Sequence, residues 1–296
     1  KYVKEGFNVI VLDNFMNGEF HNIRELLNYK NFKLIRGDVR DLQLVQNITH
    51  GVDIIYHLAA QIHVDRSIME PRETFNINVD GTLNILEAAR HNDVAKVVHA
   101  SSSEVYGHAE YLPIDEKHIL NPCSPYGASK AAADRLCFSY FTTYGLNVAI
   151  LRSFNTYGPH QKSTGYGGAI AMFMRRAISG LPPLIYGDGE QTRDYLYIKD
   201  AMKAFEIITK ENLPGKAVNV GTGVNISINE LANKIIDLCG MSGKLKPVYV
   251  APRPGEVRNL CAGISFAREL GFKPQYDITE GLKECMEWYK TYCSYS

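Results

Sequence analysis

The stretch SSSEVYG, residues 101–107, sets three hydroxyls and a carboxylate at the end of the apolar run Val97-Val98-His99-Ala100. Hydroxyls there can bond a substrate oxygen, and Glu104 has the chemistry of a base. Glu104 reads equally as a charged residue on a solvated loop. A second group lies in CSPYGASK, residues 123–130, where Tyr126 and Lys130 stand four apart. On a helix that spacing puts both side chains on one face. A free phenol, with a pKa near ~10, is a poor base at neutral pH. A lysine ammonium one turn away favours the phenolate, which makes Tyr126 a plausible base for a substrate hydroxyl. Helices carry Tyr-xxx-Lys pairs by chance. Position gives this one weight, because its helix follows the strand whose end supplies Ser101–Ser103.

These groups need a scaffold, and the apolar pattern predicts one. Strands are expected at Phe7–Asp13, Phe32–Gly37, Val52–Leu58, Lys96–Ala100 and Asn147–Arg152. Each is rich in Val, Ile and Leu at both parities, as in a parallel sheet covered on both faces. Amphipathic stretches at Asn78–Arg90 and Pro125–Tyr144 alternate with them. Ser124 as N-cap and Pro125 at the first position start the second of these helices. The alternation predicts an α/β fold with a Rossmann-type, doubly wound parallel sheet. Residues 1–153 read as a dinucleotide-binding domain and 154–296 mainly as a smaller C-terminal substrate-binding lobe, with roughly 195–225 returning to the first domain.

In such a sheet a cofactor lies across the carboxyl ends of the strands, and an acid at the end of the second strand bonds the adenosine ribose. Asp13, followed by Asn14, is placed for that role and disfavours a 2′-phosphate, so NAD is expected rather than NADP. An Asx-turn aspartate is the plain alternative. Asp38 and Val39 end the next strand, where an adenine edge could be held. Leu58, Ala59 and Ala60 end the third with small residues that let a cofactor approach, or that merely pack. The chain opens on KYVKEG, which reads as the last turns of a helix closed by Gly6. The first strand and the glycine loop of a Rossmann domain are therefore expected to precede it.

The 296 residues are 45% hydrophobic and 22% charged, with 32 basic against 32 acidic side chains. That balance gives no reason to expect a nucleic acid or membrane surface as partner. No apolar run approaches the roughly 18 residues of a membrane span, and no signal-peptide pattern is present. Six cysteines lack CxxC spacing, so no metal site or disulfide framework is expected, and a reducing cytoplasm is.

Taken together, Asp13, HLAA, SSSEVYG, SPYGASK and FNTYGP resemble the extended short-chain dehydrogenase/reductases that act on nucleotide sugars. YGGAI at 166–170, YGDGEQTRDY at 186–195 and RPGEVR at 253–258 look most like UDP-hexose 4-epimerases, and HVDRSI at 63–68 is similar to dTDP-glucose 4,6-dehydratases. The resemblance implies Ser102 as catalytic hydroxyl, Tyr126 as base, and Lys130 as its electrostatic partner and a ligand of the nicotinamide ribose. It implies Asn155 and Arg193 at the substrate diphosphate and Tyr186 against the nucleotide base, with Arg253 and Arg258 as further candidates. An arginine fork suits a diphosphate, although any one of these arginines also reads as a surface ion pair.

Both candidate reactions begin with oxidation at sugar C4. An epimerase then turns the 4-keto sugar over and reduces it from the other face. A 4,6-dehydratase needs a second base at C5, and Glu104 stands where dehydratases of the resembled family carry one. Ser103 beside it departs from dTDP-glucose dehydratases, and the Ser–Glu pair is similar to GDP-mannose dehydratases and UDP-glucuronate decarboxylases. The expectation is a UDP-glucose/UDP-galactose-type 4-epimerase, with a dTDP- or UDP-sugar 4,6-dehydratase as alternative and a non-catalytic NAD or nucleotide-sugar binder as the lesser one. A homodimer is expected through the two helices, from Leu83, Ile85, Leu86, Leu136, Phe138, Tyr140 and Phe141.

Overall fold

The computed structural model describes residues 1–163 and 167–293, with backbone alone at 292 and 293. Tyr166 of the YGGAI motif therefore lies outside the described residues. Along the first half run β1 (Val9–Asp13), β2 (Phe32–Arg36), α1 (Leu42–Thr49), β3 (Ile54–His57), α2 (Val64–Met69), α3 (Pro71–Phe75) and α4 (Gly81–His91). β4 (Lys96–Ser102), α5 (Pro125–Tyr144) and β5 (Val148–Ser153) follow. All five expected strands form, within a few residues of their expected ends. The KYVKEG opening is a hydrogen-bonded turn, and Gly6 takes φ +89°.

The second half contains β6 (Asn155–Tyr157), α6 (Ala169–Ile178), β7 (Leu184–Tyr186), β8 (Thr192–Tyr197), α7 (Ile198–Lys210) and β9 (Ala217–Val220). β10 (Asn225–Ser227), α8 (Ile228–Leu238), β11 (Val248–Val250), α9 (Ser265–Glu269) and α10 (Ile278–Cys293) complete it.

β3, β4, β5 and β9 form one parallel sheet, in the order β3-β4-β5-β9. β9 belongs to the second half of the chain, so residues after α7 come back to extend the first sheet. β1 and β2 form a separate parallel pair, Val9 facing Phe32 and Asp13 facing Arg36. The lobe holds the short sheets β10-β8-β6 and β11-β7.

The double winding shows in which residues meet which helices. Val97, Val148 and Ile150 pack with Ile85, Leu86, Cys137 and Tyr140 of α4 and α5. Val98, Ala149 and Leu151, one residue out of step, pack with Ala201, Ala204 and Ile208 of α7. Successive strand side chains point to opposite faces, so both faces need apolar residues. A third core, around Ile170, Phe173, Leu231, Ile235, Leu282 and Tyr289, holds the lobe.

One part of the sequence reading changes. Ile85, Leu86 and Tyr140 are buried within the fold itself, and Phe141 packs against Gly215. The amphipathic faces of α4 and α5 already have partners in the sheet, leaving Leu83 and Phe138 as the solvent-exposed members of the set.

Candidate active site

α5 is started by its own side chains. The Ser124 hydroxyl accepts from the Gly127 N–H at 3.1 Å, and Pro125 occupies the first turn. Tyr126 follows directly, and the Ser67 hydroxyl of α2 accepts from its backbone N–H at 3.1 Å. Gly127 lets this turn sit against the loop after β4, because a Cβ there would meet the Glu104 carbonyl oxygen at 2.6 Å. Gly255, with φ +70°, brings the RPGEVR loop against the Cys123 carbonyl in the same way. The start of α5 is thus pinned to the sheet on one side and to the lobe on the other.

Tyr126 and Lys130 are both buried. Burial pushes the phenol up to about 12, while a hydrogen bond with Ser102 pulls it down and the charges of Glu104 and Asp134 add to the rise. Lys130 donates from Nζ to the Ala100 carbonyl oxygen at 2.5 Å. Its ammonium is thereby held at the end of β4, and burial brings it down to about 8. Ser102, the last residue of β4, accepts from the Glu104 N–H at 3.2 Å and caps the short turn that carries Glu104. Ser102 and the Tyr126 phenol thus meet where β4 ends, with the Lys130 ammonium anchored on the same strand at Ala100, and burial outweighs the lowering of the phenol that the i, i+4 spacing predicts.

Glu104 is half-buried rather than solvated. Burial raises its carboxyl, Arg193 opposes that rise and Glu256 adds to it. Ser103 beside it is buried.

The residues expected at the cofactor fall on one edge. Asp13, Asp38, Leu58–Ala60 and Ser102 all lie at or just past the carboxyl ends of parallel strands. Leu58 and Ala59 are exposed and form an open shelf. Asp13 makes the Asx turn, accepting from the Phe15 N–H at 2.7 Å. Asn14 donates to Asp38 at 2.8 Å, and Arg40 grips Asp38 with two hydrogen bonds that hold its carboxyl well below the usual range. Val39 is buried against Gly81, so only its backbone can face a ligand. This donor set, an acid at the strand end, small residues beside it and a buried lysine at the reacting end, fits a dinucleotide.

In the lobe, a cavity of about 320 Å³ is lined by Tyr186, Asp188, Gln191, Arg253, Glu256 and Arg258 among others. Arg253 lies over the Tyr186 ring, 3.9 Å from its centroid, and pairs with Asp65 of α2 at 3.3 Å. Arg193 is buried in β8 and reaches Glu256 at 3.5 Å. Asn155 donates to the Asp194 carbonyl at 3.4 Å. Arg258 is exposed and closes a two-pronged ion pair with Asp188, at 2.7 and 3.0 Å. The structure thus gathers Tyr186, Arg253 and Arg258 at one cavity, with Arg193 linked to it through Glu256.

Sequence reasoning passed over Glu256, Asp65 and Asn78. Glu256 stood inside the RPGEVR motif and Asp65 inside HVDRSI, so their signal was present but attached to no role. Asn78 binds both backbone groups of Gln61, at 2.7 and 2.9 Å, and the Ser129 hydroxyl at 2.9 Å. It ties the loop after β3 to α5, and nothing in its sequence context marks it.

No helix among the described residues is long and apolar enough to cross a membrane. A family model described as GDP-mannose 4,6 dehydratase matches residues 1–285. A putative UDP-glucose 4-epimerase of Methanocaldococcus jannaschii is 40% identical over 292 residues, covering 98% of this chain and 93% of that one. Among solved structures, a UDP-glucose 4-epimerase of Thermotoga maritima with UDP-glucose superposes with a TM-score of 0.93 at 31% identity, covering 99% of this chain and 94% of that one. A dTDP-glucose 4,6-dehydratase of Streptomyces venezuelae with NAD bound gives 0.91 at 32% identity, covering 97% and 89%.

Proposed function

Because the chain belongs to the GDP-mannose 4,6-dehydratase family of extended short-chain dehydrogenase/reductases, we propose that it is a 4-epimerase of a UDP-linked hexose, of the UDP-glucose/UDP-galactose type. NAD is the cofactor, and when bound it accepts hydride from sugar C4 and gives it back. The observation that carries the reading is the hydrogen bond between Tyr126 and Ser102 at the end of β4, with Lys130 anchored on the same strand at Ala100. Tyr126 takes the proton of the sugar 4-hydroxyl, and the Ser102 hydroxyl holds the same oxygen. The product of that step is a 4-keto sugar. After the sugar turns over, the same phenol returns the proton. Lys130, one turn along α5, supplies positive charge that favours loss of the phenol proton, and bonds the nicotinamide ribose.

Asn155 and Arg193 bind the substrate diphosphate, with Arg193 exchanging Glu256 for phosphate oxygens. Tyr186 and Arg253 flank the nucleotide base, and Arg258 closes the far side. Asp13 selects NAD through the ribose hydroxyls, with Asn14, Asp38, Val39 and Leu58–Ala60 completing the shelf. The buried Ser103 beside Glu104 departs from dTDP-glucose dehydratases, and the lobe motifs YGGAI, YGDGEQTRDY and RPGEVR support the UDP-hexose epimerase.

A second reading, a 4,6-dehydratase, is favoured by Glu104 itself. Its carboxyl is raised by burial and acts on Tyr126, as a C5 base would. Intact Ser102, Tyr126 and Lys130 speak against a purely binding role. The six scattered cysteines without CxxC spacing suit a reducing, cytoplasmic setting. Exposed Leu83 and Phe138 on α4 and α5 support a homodimer through those helices.

The test is the mass and configuration of the product when the NAD-loaded protein meets UDP-glucose, and in parallel dTDP-glucose. An isomeric UDP-sugar supports the epimerase. Loss of one water establishes the dehydratase, and no turnover of either overturns both.

A further inference from the structure

Lys130 is an ammonium in a buried site, and a neutral carbonyl alone is a weak counterweight to that burial. One turn further along α5 stands Asp134, with no solvent exposure. The helical spacing 126, 130, 134 puts the phenol, the ammonium and this carboxylate along one face. Asp134 is fixed from the sheet: Arg152 of β5 donates from Nε to its Oδ2 at 2.8 Å. Arg152 is fixed in turn through Nη1 to the Tyr106 hydroxyl at 2.9 Å, and that hydroxyl donates to Asn219 at 2.7 Å. The other carboxylate oxygen, Oδ1, is buried and has no hydrogen-bond partner, and His99 Nε2 lies 3.8 Å away.

We propose that Asp134 is a positioning residue for the C4 oxidation, a buried counter-ion anchored by Arg152 that keeps the Lys130 ammonium charged beside Tyr126. The inference rests on the reading of Tyr126 and Lys130 as the proton-transfer pair, and is indifferent to whether the product is an epimer or a dehydrated sugar. The other groups around Lys130 do not do this work. His99 on β4 and His57 on β3 are held neutral by burial, His57 at about 3 and His99 well below its ordinary value. Burial pushes the Cys137 thiol of α5 well up. Arg152 is a cation, and its guanidinium is committed to Asp134 and Tyr106. Glu104, at the turn after β4, is raised by burial and acts on Tyr126. Asp134 is the carboxylate that raises Lys130 against its burial.

The experiment reads Lys130 directly. Protein labelled with ¹⁵N-lysine and loaded with NAD is titrated by NMR, the Nζ signal being assigned with Lys130→Met. This readout needs no substrate, so it stands even where the sugar assignment fails. Asp134→Asn lowers the Lys130 midpoint from about 8 by about one pH unit, and Asp134→Glu restores it in part. Reduction of bound NAD by UDP-glucose or dTDP-glucose then loses its alkaline limb at correspondingly lower pH, about fivefold slower at pH 8 for a one-unit shift. Should Asp134→Asn fail to fold with Arg152 left unpaired, Asp134→Glu, which keeps a partner for Arg152 but moves the carboxylate, is read alone and still lowers the midpoint from about 8. An unchanged Lys130 midpoint in whichever of these variants folds overturns the proposal, because a purely structural Asp134 changes stability and leaves that titration in place.

Discussion

Glu104 and Gly127 are in backbone contact: a Cβ built on Gly127 lies 2.6 Å from the Glu104 carbonyl oxygen. That contact holds the phenol-bearing turn of α5 against the end of β4. Gly127→Ala forces the two apart and moves Tyr126 away from Ser102. The expected result is destabilisation of about 1–3 kcal/mol with a fall in kcat of about a hundredfold, read from thermal melts and steady-state kinetics. Full activity in the alanine variant contradicts the contact as a determinant of site geometry.

Tyr126→Phe keeps the ring and removes the proton acceptor. Turnover drops about 100- to 10,000-fold while affinity for the nucleotide sugar, measured by calorimetry, stays near the wild-type value. A variant with normal turnover removes the phenol from the mechanism.

On the proposed reading, Asp13 sets the cofactor preference by repelling a 2′-phosphate. The protein is expected to bind NAD more tightly than NADP, and Asp13→Gly to narrow that gap. Fluorescence titrations with both dinucleotides decide it, and a native preference for NADP refutes the assignment.

Glu104→Gln separates the two chemistries in deuterated water. In an epimerase C5 is never deprotonated, so wild type takes up no deuterium at C5. The variant then keeps its activity within a few-fold, on the order of 1 kcal/mol for a lost hydrogen bond. Deuterium at C5 of the wild-type product, absent with the glutamine variant, establishes Glu104 as a C5 base and the dehydratase reading.

His57 lies neutral in the core at about 3, below its unfolded value of about 6.5. The unfolded chain therefore binds the proton first as pH falls. Stability contributed by the neutral ring is complete above pH ~6.5 and is lost as pH drops from there toward ~3, by up to ~1.4 kcal/mol per unit. Urea melts of His57→Gln should show a shallower loss over that window than wild type. Equal slopes place the acid sensitivity elsewhere, His99 included.

Much of the fold was legible in the chain. The strands announced themselves because apolar residues fill both parities, and the structure gives each parity its own core: Val97, Val148 and Ile150 to one face, Val98, Ala149 and Leu151 to the other. The start of α5 was equally plain, since Ser124 and Pro125 act within one turn of their own position. The apolar residues of α4 and α5 read as more than one sheet contact explains, and the fold itself buries Ile85, Leu86 and Tyr140 among them, leaving Leu83 and Phe138 exposed. Periodicity gives the width of an apolar stripe and says nothing of how much of it the rest of the fold covers.

By itself the sequence determined what depends on neighbours along the chain: the parallel-strand pattern, the cap of α5, the i, i+4 spacing of Tyr126 and Lys130, and the strand-end placement of Asp13 and Ser102. Tertiary structure alone decided which charges meet. It put Arg152 on Asp134, Arg253 between Asp65 and Tyr186, and Arg193 on Glu256. It also turned Lys130 to the Ala100 carbonyl. Local rules act through backbone geometry within a few residues. A charge answers to whatever lies within a few ångströms and to how much water has been taken away, and packing of distant segments sets both.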